Sequence, residues 1–305
     1  MPFLFPALLA AGLPLDASNQ EGITPLITAV ASGSIEAVRL LLNEGADVNQ
    51  PTDSGVTPLM AAASEGRLEM IQFLLERGAQ INARDQEHLT PLMYSALKGE
   101  PQSLSVLTSA GADVNAADLQ GFTPLHYAVE ERFLDCARML LDTGADPDVL
   151  TRSGWTPLMS AAGEGRNDLV SLLAAHGADL EIQNPWGWPA LLYALLEGHL
   201  ETMRLLIDKG ADVNTRTING LTGLMIAAKR GRIDLMRLLL DHGAEPSLKS
   251  ESGKTALSIA EESDQRDAVS LLRNWREKKP QPKSGRSCQC SHLSMLVGWG
   301  RCWTW

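Results

Sequence analysis

Basic residues are scarce in this chain: 26 Lys and Arg stand against 37 Asp and Glu in 305 residues, a formal net charge of −11. Nucleic acid and anionic membrane surfaces both call for a cationic face that displaces counterions. Neither is therefore an expected partner, whereas an acidic surface suits a basic or mixed protein segment. No apolar run approaches the roughly 20 residues of a membrane-spanning helix. There are four cysteines, Cys136 alone and Cys288, Cys290 and Cys302 near the end. That is no disulfide framework, and it points to a reducing compartment, the cytoplasm or the nucleus. A Gly-rich phosphate loop, a Ser or Cys nucleophile motif and an HExxH pair are all missing, so no enzyme and no cofactor is expected.

What the chain does have is a period. Thr24-Pro25-Leu26 returns as Thr57-Pro58-Leu59, Thr90-Pro91-Leu92, Thr123-Pro124-Leu125 and Thr156-Pro157-Leu158, each 33 residues after the last. It continues, altered, through Pro189-Ala190-Leu191, Thr222-Gly223-Leu224 and Thr255-Ala256-Leu257. A fixed period of this size marks a stacked-repeat protein, in which chain length sets repeat number rather than core thickness.

Residues 52–84 show how one unit should fold. Gly55 sits in a turn that wants positive φ. Thr57 can cap a short helix from Pro58 to Ser64, whose first position suits proline. Gly66 ends that helix. A second helix over about 68–77 carries Leu68, Ile71, Leu74 and Leu75 at helical spacing, and Gly78 closes it in the left-handed manner. The tip glycine recurs as Gly22, Gly55, Gly121, Gly154, Gly187, Gly220 and Gly253, with His88 in the eighth place. Arg132 and Asp264 interrupt the glycines between the helices.

With helices, turn and motif together, the chain resembles the ankyrin repeats over about residues 2–276. Residues 118–148 match that pattern well, through Asp118, Gly121, Thr123-Pro124-Leu125-His126, Ala128, Leu140-Leu141 and Gly144-Ala145-Asp146. The resemblance implies an all-α solenoid of helix-turn-helix units with β-hairpin-like turns. Residues 1–18 are expected to form a partial N-terminal capping repeat, which repeat register explains better than a secretion signal. Residues 19–250 supply seven repeats, 251–279 a C-terminal capping repeat, and 280–305 a flexible tail. The resemblance gives the histidine after Thr-Pro-Leu a turn-supporting role, and it survives only as His126, so the turns that carry Met60, Met93, Met159 and Met225, or Ile27, Leu192 and Ser258, are expected to be looser. Pro189-Ala190 shifts the proline by one residue and puts the first turn of its helix in question. The histidines otherwise fill repeat slots, and Cys136 is expected to be a buried hydrophobe. Cys288, Cys290, His292 and Cys302 could serve as zinc ligands, but their spacing favours an unstructured end.

In ankyrin-type stacks, protein partners most often bind the concave side of tips and first helices. The residue after each tip position runs Ile23, Val56, Leu89, Phe122, Trp155, Trp188, Leu221, Lys254, and is expected to point outward. Trp186 adds another indole. First helices end in Ser32, Glu65, Lys98, Glu131, Glu164, Glu197, Arg230 and Ser263, with Glu130 and Lys229 alongside. The expected site is Phe122, Trp155, Trp186, Trp188, Leu221, Glu130, Glu131, Glu164, Glu197, Lys229 and Arg230. It would bind a protein segment offering apolar anchors and basic residues, and the chain is expected to be a monomeric scaffold or adaptor. Other readings are a recruiting or regulatory subunit of an enzyme complex, and a metal-responsive protein acting through its tail. Alanine at Trp155 and Trp188 is expected to leave thermal melting within a few degrees.

Overall fold

The computed structural model describes residues 15–278. The first fourteen residues, on which most of the N-terminal cap was placed, and the cysteine-bearing tail lie outside them. Among the described residues there are sixteen helices in eight pairs and no strand, only an isolated antiparallel bridge between Arg216 and Thr222. First helices run Pro25–Ser32, Pro58–Ser64, Pro91–Lys98, Pro124–Glu130, Pro157–Gly163, Ala190–Glu197, Gly223–Lys229 and Ala256–Glu262. Second helices run Ile35–Asn43, Leu68–Glu76, Pro101–Ser109, Leu134–Asp142, Asn167–Ala175, Leu200–Asp208, Ile233–Asp241 and Arg266–Lys278. We number the pairs one to eight.

Local chemistry sets each start. The hydroxyls of Thr24, Thr57, Thr90, Thr156, Thr222 and Thr255 accept the N–H three residues on, satisfying a donor that the helix cannot. Unit six lacks that cap: Pro189 itself occupies the N-cap position with extended backbone, and Ala190 opens the helix. The loss is confined to the cap, because Leu192 N–H still reaches the Pro189 carbonyl at 3.1 Å.

The turns at Met60 and Met93 are not looser. Thr57 and Thr90 donate their N–H to Met60 Sδ at 3.3 Å and Met93 Sδ at 3.4 Å, where Thr123 uses His126 Nδ1 at 3.2 Å. A polarizable thioether thus substitutes for the ring nitrogen. His88, Arg132 and Asp264 accept φ of 66°, 66° and 52° in place of glycine. The tip at His88 and the inter-helix turns at Arg132 and Asp264 therefore keep their geometry without it, at some steric cost.

Units stack first helix on first helix and second on second. The core is a continuous file of small and branched apolar residues, with Ala29, Ala62, Ala96, Ala128, Ala162, Ala194 and Ala228 all fully buried on the first helices. Alanine here allows close helix approach, and the file buries apolar area unit by unit.

Two hydrogen-bond ladders run along the stack. On the far edge a side chain accepts the backbone N–H of the next unit: Asn82 Oδ1 from Asp113 at 2.9 Å, Asn115 from Asp146 at 2.8 Å, Asp148 from Asp179 at 2.9 Å, Glu181 from Asp212 at 2.8 Å. Burial, with acidic neighbours, holds the Asp148 and Glu181 carboxyls above the usual range, although each accepts an N–H that works the other way. On the tip edge Arg152 N–H reaches Gln120 O at 2.8 Å and Ile218 N–H reaches Trp186 O at 3.1 Å. Pro185 has no N–H to offer, so the tip ladder skips the junction of units five and six.

Candidate functional site

Each tip is closed by its own first residue. Asp118 Oδ1 accepts the N–H groups of Gln120 and Phe122 at 2.8 Å, and Asn184 Oδ1 those of Trp186 and Trp188 at 3.0 Å. Thr151 Oγ1 takes Trp155 N–H at 3.0 Å. Such side-chain turns fix the backbone and decide where the next side chain goes.

That direction differs from the sequence expectation. Ile23, Val56, Leu89, Phe122, Trp155, Trp188 and Leu221 are partly buried, and only Lys254 of the series is exposed. Phe122 lies 5.4 Å from the His126 ring and 5.6 Å from that of Tyr127. Trp155 and Trp188 share Tyr193, at 4.3 Å and 5.8 Å between centroids. The side chains turn onto the first helices because aromatic faces gain by contact there and by leaving water. Trp186, by contrast, is 53% exposed.

Tyrosines at one repeat slot form the floor beneath these tips. Tyr94 donates its hydroxyl to Asp85, and Tyr127 to Asp118, the residues that close their own turns. Burial is the main reason that both phenols sit well above their ordinary pKa, with the carboxylate acceptors adding to it. In unit six the roles reverse: Asn184 donates its amide to the Tyr193 hydroxyl.

His126 links two units. Its Nδ1 accepts from Thr123 N–H and lies 2.9 Å from the Thr123 hydroxyl, which leaves Nε2 to carry the proton and face the Trp155 carbonyl at 3.3 Å. The ring is 1% exposed, and burial lowers its pKa to about 4. It is a neutral structural histidine near pH 7.

The expected site residues other than Trp186 fall into two adjoining basins on the first-helix side. One, of about 770 Å3, is lined by Phe122, Trp155 and Tyr193, with Glu130, Glu131, Glu164 and Glu197 around them and Leu196 at its edge. The other, also about 770 Å3, lies between Trp188, Leu196, Leu221 and Ile226 and carries Lys229, Arg230 and Lys254. Leu196 belongs to both. Trp186 lines neither.

Charge in the first basin is only partly balanced from within. Arg132, the residue that replaced a glycine, places its Nε 3.0 Å from Glu164. Among the described residues no cation pairs with Glu130, Glu131 or Glu197. The Glu130 carboxyl is held above the ordinary range by desolvation first and by Glu164 and Glu131 second. A cation brought alongside would reverse that.

Sequence reasoning missed Tyr193, Ser160, Leu196 and Ile226, which all line these basins. The signal was present. Tyr94, Tyr127, Ser160, Tyr193, Ile226 and Ile259 are another slot of the same 33-residue period, one that needed to be read across units like the tips. Cys136 is buried as expected, and burial pushes its thiol up to about 12. No group of three His, Cys, Asp or Glu side chains among the described residues could hold a metal.

Comparison with known proteins agrees with this geometry. A family model described as ankyrin repeats in three copies matches residues 3–85, 82–151 and 143–217, and one described as ankyrin repeats in many copies matches residues 198–260. No curated protein sequence matches the chain. Among solved structures, the ankyrin repeat domain of Bcl-3, described as a unique member of the IkappaB protein family, is 28% identical. The alignment covers 83% of this chain and 100% of that one, with a TM-score of 0.65.

Proposed function

The chain belongs to the ankyrin-repeat family, and from that premise we propose that it is a non-enzymatic scaffold or adaptor that holds a partner's protein segment across units four to seven. One observation carries this reading: the basin in which Phe122, Trp155 and Tyr193 form an aromatic floor inside a ring of four carboxylates. The floor offers aromatic faces that still reach solvent, the surface type on which interface energy concentrates. The carboxylates select what may lie on it.

Magnitudes decide how the two parts share the task. An exposed ion pair contributes about 0–1 kcal/mol, so Glu131 and Glu197 together add less than one well-covered aromatic contact. Their larger effect is on encounter rate and on rejecting acidic segments. The partner segment accordingly has an apolar or aromatic anchor flanked by Lys or Arg. A cation also gains from the indole and phenol faces, at about 0.5–2 kcal/mol.

Exposed charges make the clean test. Proximity labelling with the full chain is compared with labelling by a Glu131→Lys/Glu197→Lys variant of equal melting temperature. Loss of a discrete set of labelled proteins is expected, together with salt-sensitive recovery of the same set by the native chain. An identical set from both chains would sink the reading.

A further inference from the structure

The two basins differ in sign along one repeat slot. Glu131, Glu164 and Glu197 end the first helices of units four to six, and Arg230 stands at the same position in unit seven with Lys229 beside it. Both cations are exposed, and among the described residues neither pairs with a carboxylate. Arg230 donates to the Leu196 carbonyl at 2.6 Å, which fixes its guanidinium on the ridge between the basins. Lys254, by contrast, is committed to Glu262 at 2.5 Å. The second basin is therefore an apolar trough, with Leu221, Ile226 and Ile259 along it and, on one edge, two cations that pair with no carboxylate among the described residues.

Resting on the reading of this groove as a protein-binding site, we propose that the bound segment is charge-segregated: a basic, aromatic-anchored block over units four to six, continuing into an acidic block that meets Lys229 and Arg230. The spacing follows from the stack. Packed helices lie about 8–10 Å apart, so Glu164 and Arg230, two units apart, are separated by roughly 20 Å along the groove. An extended chain covers about 3.3–3.6 Å per residue. The centres of the two blocks thus fall about six residues apart. Each ion pair is weak alone, and the sign change acts through mismatch: a segment with uniform or alternating charge places like charges together at one end or the other.

The probe is a displayed library of random 16-residue peptides selected on the full chain, followed by fluorescence anisotropy on the selected peptides made synthetically. The expected peptides carry a Lys/Arg block and an Asp/Glu block about six residues apart. Glu131→Lys/Glu197→Lys and Lys229→Glu/Arg230→Glu should each weaken them by about tenfold or more. Replacing a peptide's acidic block by Gln should remove its sensitivity to the second variant and leave its sensitivity to the first. Peptides that are purely basic and aromatic, and bind Lys229→Glu/Arg230→Glu as well as the native chain, overturn the charge-segregated partner but keep the groove. They would instead fit an occupant with the composition of residues 279–305 of this chain, a stretch that contains Lys279, Lys283, Arg286 and Arg301 and no Asp or Glu. Binders indifferent to both variants, or no binder above background, overturn the groove reading itself.

Discussion

Replacing Trp155 with alanine tests whether the aromatic floor is built by the repeat stack or only displayed on it. The indole is partly buried against Tyr193, with 4.3 Å between ring centroids, and its own carbonyl faces His126 of the preceding unit. A Trp side chain offers roughly 150–250 Å2. At about 25 cal/mol per Å2, covering ~100 Å2 of it contributes about 2.5 kcal/mol, and an offset aromatic pair adds about 0.5–1.5 kcal/mol. The expected loss is about 3–4 kcal/mol, in the lower part of the ~3–5 kcal/mol range of a fully buried Trp→Ala. For a stack of this size that corresponds to a fall in melting temperature of roughly 5–15 °C. It revises the sequence expectation of a few degrees, which took the tips as free. Because each unit leans only on its neighbours, the loss can surface as an earlier phase confined to units four to six. Circular dichroism melts and urea titrations of Trp155→Ala, Trp155→Phe and Trp186→Ala measure this. Trp155→Phe should keep most of the stability, and Trp186→Ala, at a residue 53% exposed, should cost under about 1 kcal/mol. Equal melting of Trp155→Ala and Trp186→Ala would refute the stacking argument.

Two further perturbations test the frame. At Gly187, with φ of 77°, an added Cβ would lie 2.6 Å from Ile218 N and 2.9 Å from Thr217 backbone atoms. Gly187→Ala should therefore cost about 2–4 kcal/mol in urea titrations, whereas Gly78→Ala, with open space around it, should cost only the ~1 kcal/mol of its left-handed backbone. His126 should make stability pH-dependent. Its folded pKa of about 4 lies below the unfolded value, so on acidification the unfolded chain takes the proton first. Its contribution is intact above about pH 6.5 and falls by roughly 3 kcal/mol as pH drops toward 4, where it levels off. His126→Met, which keeps the helix-start contact seen at Met60 and Met93, should flatten that part of the profile relative to the native chain; parallel pH profiles would contradict it.

Most of the architecture could be read from the chain, because the features that fix it are local. A Thr before Pro caps a helix, and a glycine in the left-handed region ends one, whatever lies in the next unit. The positive φ of His88 was legible for the same reason, from the glycine slot it fills. What failed depended on neighbours. Trp155 and Trp188 read as outward pointing because a tip slot in one unit says nothing of Tyr193, which lies on the first helix of unit six and meets both. The Met60 and Met93 turns read as loose because only geometry reveals a thioether within reach of the capped N–H. In the groove, the carboxylates were legible as exposed helix ends. The bond from Arg132 to Glu164 was not, since it joins two units through a side chain already assigned to a turn.

That a partner segment lies along the tips and first-helix ends of units four to seven is tested most directly by hydrogen exchange on the full chain, free and saturated with a selected peptide. Slowed exchange is expected at residues 118–122, 151–155, 184–188 and 217–221 and at the helix ends near Glu131, Glu164, Glu197 and Arg230. Protection confined to the second helices, such as Leu134–Asp142 and Asn167–Ala175, would contradict it.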